Sequence, residues 1–139
     1  MLTVKKYEAN DLETVVAFIR KVQENAVPCE KILARSVLIK DDAHIVGMVS
    51  YESHDFMGII RYFLYDARLA GVDLLVNMFL SLYKNAREEG LKQLVAQIPN
   101  ETVGHLFKTL GFETVSPKNE GALGGADFGN TVMMLNLMN

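Results

Sequence analysis

The segment GIIRYFLYDA, Gly58 to Ala67, is β-branched and aromatic and reads as a strand. From Val72 to Glu89 the spacing changes. Val72, Val76, Phe79, Tyr83 and Ala86 fall on one helical stripe, with Leu75 and Leu82 beside it. Gly90 follows at once, with Leu91 behind it, which fits a Schellman stop in which a left-handed glycine lets a hydrophobe fold back. LKQLVAQI, Leu91 to Ile98, reads as the next strand. A strand, a long helix and a strand form a right-handed crossover, so the two strands lie parallel in one sheet, as neighbours or close to it.

The rest of the chain suits hairpins. LTVKKY alternates and reads as a first strand. In NDLETVVAFIRKVQEN, Asn10 and Glu13 stand at capping-box spacing, and Leu12, Val15, Ile19 and Val22 predict one buried helical face. Pro28 is placed to open a second short helix through about Ala34. SVLIKDDAHIVGMVSYES reads as two strands around a tight turn at Asp41, Asp42 and Ala43. Asn100 can cap a last helix whose Val103, Leu106, Phe107 and Leu110 share a face, and Gly111 stops it. FETV continues as a strand, 116–130 is a glycine-rich loop that reads as a flexible hairpin connection or, being longer than usual, as a lid over the acceptor site, and TVMMLNLM is a final strand. The order β-α-(α)-β-β-β-α-β-α-β-β predicts an α+β domain over residues 1–139, with a mixed sheet and helices on both faces.

With 139 residues, half of them hydrophobic, the chain can bury a core without disulfide or metal staples. Its 14 basic and 17 acidic residues leave a net charge of -3, which argues against a broad nucleic-acid surface. The single cysteine, Cys29, cannot form an internal disulfide and reads as a small packed hydrophobe in a reducing compartment. MLTVKKYEAND has no apolar stretch of signal-peptide length, and the most apolar run, Leu74 to Tyr83, is too short to span a bilayer. The expectation is a cytoplasmic domain with no metal and neither nucleic acid nor membrane as partner. Met133, Met134 and Met138 read as core strand, or as the lining of an adaptable pocket or a homodimer interface.

Three segments resemble the GNAT superfamily of acyl-CoA-dependent N-acyltransferases, and the resemblance covers almost the whole chain. The family ends its last helix with a pattern like N-x-x-A-x-x-L-Y-x-K-L-G-F. Asn100, Leu106, Leu110, Gly111 and Phe112 match it in register, while Val103, Phe107 and Thr109 stand for its Ala, Tyr and Lys. IKDDAHIVGMVSYE is similar to the family's second hairpin, with Gly47 in the usual place. RLAGVD sits where the family has its pyrophosphate loop, R/Q-x-x-G-x-G/A; Arg68 and Gly71 match and Asp73 does not.

The resemblance implies a GNAT-like, mostly antiparallel sheet whose one parallel pair splays open to take the pantetheine arm of acetyl-CoA. It implies transfer of an acetyl group to a small-molecule or peptide amine. Cofactor-binding positions would be Phe63, Tyr65, Arg68, Leu69, Ala70, Gly71, Val72, Asn100 and Phe107, with the Phe63 N–H as oxyanion donor. Glu52, His54 and Tyr62, with Asp55 beside them, are the candidates for the base that deprotonates the amine; each also reads as plain edge polarity. A phenyl ring cannot protonate a leaving thiolate, so Phe107 allows two readings. Either acyl transfer proceeds without that acid, or the domain binds CoA or a protein partner without turnover. A purely structural subunit is the third class.

Overall fold

A computed structural model describes residues 1–69, 71–115 and 131–137. Its elements are β1 (Leu2–Lys6), a 3-10 turn (Ala9–Asp11), α1 (Leu12–Arg20), α2 (Glu30–Leu33), β2 (Ser36–Asp41), β3 (His44–His54) and β4 (Met57–Tyr65). Then come α3 (Val72–Glu88), β5 (Gln93–Ile98), α4 (Glu101–Thr109), β6 (Glu113–Thr114) and β7 (Thr131–Asn136). One seven-stranded sheet runs in the order β1-β2-β3-β4-β5-β7-β6, antiparallel everywhere except at β4–β5. The predicted crossover is therefore present, and its strands are direct neighbours.

Two apolar clusters sandwich the sheet. On one face Leu75, Phe79, Leu82, Tyr83 and Ala86 of α3 and Phe107 of α4 pack on Val37, Ile39, Val49 and Leu94. On the other, Val15 and Ile19 of α1 and Leu33 of α2 pack on Leu38, Ile45 and Met48. Burial of the Tyr83 ring raises its phenol above the ordinary range, and the hydroxyl donates to the Leu110 carbonyl at 2.8 Å, tying α3 to the end of α4.

Both predicted glycine stops hold. Gly90 has φ +91° and Gly111 has φ +100°, and each is followed by the Schellman bond, from Leu91 N–H to the Ala86 carbonyl and from Phe112 N–H to the Phe107 carbonyl, both 3.0 Å. Asn100 caps α4, accepting from the Val103 N–H at 2.9 Å.

Several local expectations are corrected. The capping pair at the first helix is Glu8 and Asp11, not Asn10 and Glu13; Glu8 N–H donates to Asp11 Oδ2 at 2.9 Å. Asp11 is 4% exposed and also takes Lys5 Nζ at 2.8 Å and Lys40 Nζ at 3.3 Å. Burial alone would raise this carboxyl, but the hydrogen bonds from Lys5, the Glu8 N–H and Lys40 outweigh it and hold it below the usual range. Ion pairs from β1 and β2, invisible to local spacing, thus decide where the helix begins.

Val22 lies past the end of α1 and is 65% exposed, and Val72 at the first turn of α3 is exposed too. The short second helix begins at Glu30 rather than Pro28, with an exposed Cys29 as its N-cap instead of a packed hydrophobe. FETV contributes only Glu113 and Thr114 to the sheet. Met133 is buried, as a core strand requires, whereas the 116–130 loop and Met138 lie outside the described residues. Among the described residues no helix is long and apolar enough to cross a membrane.

Candidate active site

The parallel pair is short. β4 and β5 are in register only at Met57–Gln93, Gly58–Leu94 and Ile59–Val95. Beyond Ile59 the strands part, and a cavity of about 210 Å³ opens between them. Ile60, Phe63, Leu64, Ala96, Val103 and Phe107 give it apolar walls, and Gln23, Arg61, Tyr62 and Gln97 give it polar edges.

A β-bulge accompanies the parting. Ser50 pairs with Tyr62 but Tyr51 pairs with Ile60, so Arg61 is an extra residue in β4. A bulge bends its strand and increases its twist, which turns the C-terminal half of β4 away from β5.

Backbone directions follow from the ladder with β3. Asp66 N–H donates to the Val46 carbonyl at 2.8 Å, and the register continues through Met48–Leu64 and Ser50–Tyr62. Hydrogen-bonded and non-hydrogen-bonded pairs alternate in an antiparallel ladder, so the N–H and C=O groups of Phe63 and Tyr65 point to the opposite side of β4. That side is the gap, where β5 no longer pairs.

Phe107 closes the floor of the gap. It is 2% exposed, and its ring lies edge-on to Phe63 at 5.4 Å, Phe79 at 5.5 Å and Phe112 at 4.9 Å between centroids. It therefore packs in the core and borders the cavity at once.

The loop from Asp66 to Gly71 carries the chain from the open end of β4 to the start of α3. A Cβ built on Gly71 would meet nothing within 4 Å, and among the described residues no side chain caps α3. Its first N–H groups are thus available to an anion, with the helix dipole behind them. Two expected phosphate ligands are otherwise engaged. Arg68 is clamped by Asp66 (Nε to Oδ1 at 3.2 Å, terminal nitrogen to Oδ2 at 3.1 Å), and the Leu69 N–H donates to the Asp66 carbonyl at 3.0 Å. The Asp66 turn takes both groups, because its carboxylate sits two residues before the arginine. Ala70 lies outside the described residues. Val72 remains at the helix start, with Asp73 in the same first turn. Asn100 Oδ1 is spent on its cap, and Tyr65 stacks on Phe63 at 5.2 Å.

The base candidates are not brought together at the gap. His54 pairs with Met57 at the closed end of β4, six residues and about 20 Å along the strand from Phe63. Asp55 is beside it in the β3–β4 turn, with φ +54°. Glu52 accepts from Arg61 Nε at 2.7 Å and contacts His54 Nε2 at 2.7 Å, and the Arg61 hydrogen bond chiefly holds its carboxyl below the usual range. Only Tyr62 of the three lines the cavity. Reading by residue type overlooked Arg61, a lone charge inside an apolar strand, and Asp66.

No protein-family model matches the chain, and no curated protein matches it. Solved structures do. N-acetylglutamate synthase from Neisseria gonorrhoeae, complexed with coenzyme A and N-acetyl-glutamate, superposes with a TM-score of 0.74 at 16% identity, over 100% of this chain and 36% of the synthase. The chain thus spans about a third of that protein. A GNAT-family acetyltransferase from Staphylococcus aureus matches with a TM-score of 0.73 at 13% identity, over 99% of both chains. The PaiA N-acetyltransferase from Thermoplasma acidophilum, in complex with coenzyme A, matches with a TM-score of 0.71 at 11% identity, over 98% of this chain and 99% of that one. Element order, the single splayed parallel pair and these superpositions agree: the chain has the fold of the GNAT N-acetyltransferases.

Proposed function

We propose that this chain is a divergent GNAT-type N-acyltransferase that moves an acetyl group from acetyl-CoA to an amine. The observation that carries the reading is the pair of backbone groups at Phe63 and Tyr65 facing a gap that no strand among the described residues fills. Beyond Ile59 these N–H and C=O groups have no partner from β5, and backbone polar groups in folded proteins generally have partners. A slender ligand with amide groups, running beside β4 like an added strand, supplies them, and pantetheine is such a ligand. Acetyl-CoA brings an activated thioester carbonyl; the chain's part is to bind, orient and move a proton.

Ile60, Phe63, Val103 and Phe107 would exclude water from the arm. The start of α3 at Gly71 and Val72 would receive the pyrophosphate, while Asp66 and Asp73 lower the affinity there. In this reading the Phe63 N–H would donate to a carbonyl oxygen as it gains negative charge. Tyr62, at the cavity edge, is the nearest of the three base candidates to the amine's path. His54 sits at the closed end of β4 and is held by Glu52. Phe107 offers no proton, so the thiolate would leave unassisted, which a good leaving group tolerates.

One observation favours the second reading, a domain that binds CoA without turnover: the acid position holds a ring packed against three others. Titrating pure protein with CoA and acetyl-CoA, then assaying thiol release with a panel of amines, separates the two. Binding with thiol release supports the transferase, binding alone supports the second reading, and no binding removes both.

A further inference from the structure

We infer that the acceptor carries a carboxylate, received by Arg61 at the mouth of the β4–β5 gap; this rests on the transferase reading above. Arg61 is the extra residue of the β4 bulge. It borders the cavity and also the shallower hollow of about 450 Å³ beside it, which Ile60, Gln97 and Pro99 complete. Its backbone lies two residues before Phe63 in β4, about 6–7 Å along the strand, on the side from which the strand enters the gap.

The hydrogen-bond inventory at the mouth decides the sign of the ligand. Both Glu52 oxygens are engaged, Oε1 by Arg61 Nε and Oε2 by His54 Nε2, each at 2.7 Å. Arg61 gives only Nε. Its terminal nitrogens make no hydrogen bond among the described residues, and its side chain is 43% exposed. Among the described residues the mouth therefore offers a fork of N–H donors and no spare carboxylate. A fork of this kind matches a carboxylate, and the Nε anchor fixes the guanidinium plane before the ligand arrives. A polyamine would meet the arginine's charge and find Glu52 already taken.

The test is a binding titration at saturating CoA, using N-acetylglycine, N-acetyl-L-leucine and N-acetyl-L-glutamate, each beside its carboxamide. At least one carboxylate is expected to bind about tenfold or more tightly than its amide, the usual worth of a charge-assisted pair. Arg61→Met should abolish that preference with an unchanged melting temperature. Arg61→Lys should restore part of it, because a point charge replaces the fork. Equal binding of acid and amide, no binding of any acid, or a preference that survives Arg61→Met overturns the inference. Thiol release with the matching free amino acids is read separately. A carboxylate preference without release keeps the site and removes the transferase. Release with no preference keeps the transferase and removes the site.

Discussion

β4 and β5 touch at one end and stand apart at the other, and the residues at the two ends differ in size. At the closed end Gly58 faces Leu94, and a Cβ there would lie 2.8 Å from Leu94 Cδ2 and 3.1 Å from both Leu91 and Tyr51. Lys92 N–H donates to the Phe56 carbonyl at 2.7 Å, and the Tyr51 hydroxyl donates to Glu89 at 2.7 Å, joining β3 to the end of α3. Arg35 grips the same carboxylate with Nε at 2.9 and 3.0 Å. At the open end a bulge and the ring pair Phe63–Phe107 take the place of glycine. One end meets because a side chain is missing, and the other is held open by rings wedged beneath it. A gap between two strands thus needs packing at both ends.

The largest effect should come from removing the wedge. Phe107→Ala deletes a ring buried among three others, and a loss of about 3–5 kcal/mol is expected in denaturant unfolding. A loss below about 1 kcal/mol would mean that the ring is not what holds the open end. Next is the closed end. Gly58→Ala forces a methyl into contacts of 2.8–3.1 Å, and overpacking of this kind costs about 1–3 kcal/mol. An Ala variant as stable as the parent would show that the two ends do not depend on that close approach.

Phe107→Tyr sharpens the chemistry of the open end. The ring borders the cavity, so the hydroxyl is expected to reach the leaving thiolate and raise thiol release about tenfold. A stability loss of about 1–3 kcal/mol with no gain in rate would place the ring's tip in the core instead.

Smaller still is the charge at the helix start. Asp73→Ala, or Asp66→Asn to free Arg68, should tighten CoA by about a few-fold at this exposed site. Weaker or unchanged affinity, by calorimetry on folded protein, would count against placing the pyrophosphate there.

The smallest concerns Glu89 at the closed end. Burial would raise its carboxyl, but the Arg35 and Tyr51 hydrogen bonds outweigh this and hold it below its ordinary value of 4.5. A carboxyl lowered by folding stabilises fully above the unfolded pKa and loses that contribution as pH falls through the folded one. The stability gap between wild type and Glu89→Gln should therefore be wide at pH 7 and narrow towards pH 3. A gap independent of pH would remove the carboxylate from the account.

Spacing along the chain by itself determined the order of elements, the parallel crossover, the Asn100 cap and the stops at Gly90 and Gly111. These depend on residues within one or two turns of each other, where backbone sterics and hydrogen-bond reach are local. It also placed Phe107 on a buried face, while the resemblance to the GNAT loop placed Gly71 just before α3. Tertiary structure decided the rest. Asp11 displaced the expected capping pair because lysines from two strands meet it. His54 went to the closed end because the β3–β4 register set it opposite Met57. Asp66 captured Arg68, and a one-residue shift in that same register put Arg61 at the mouth of the gap. Register is a property of two strands, and the energy that selects it comes from partners far apart in sequence, so no window along a single strand contains it.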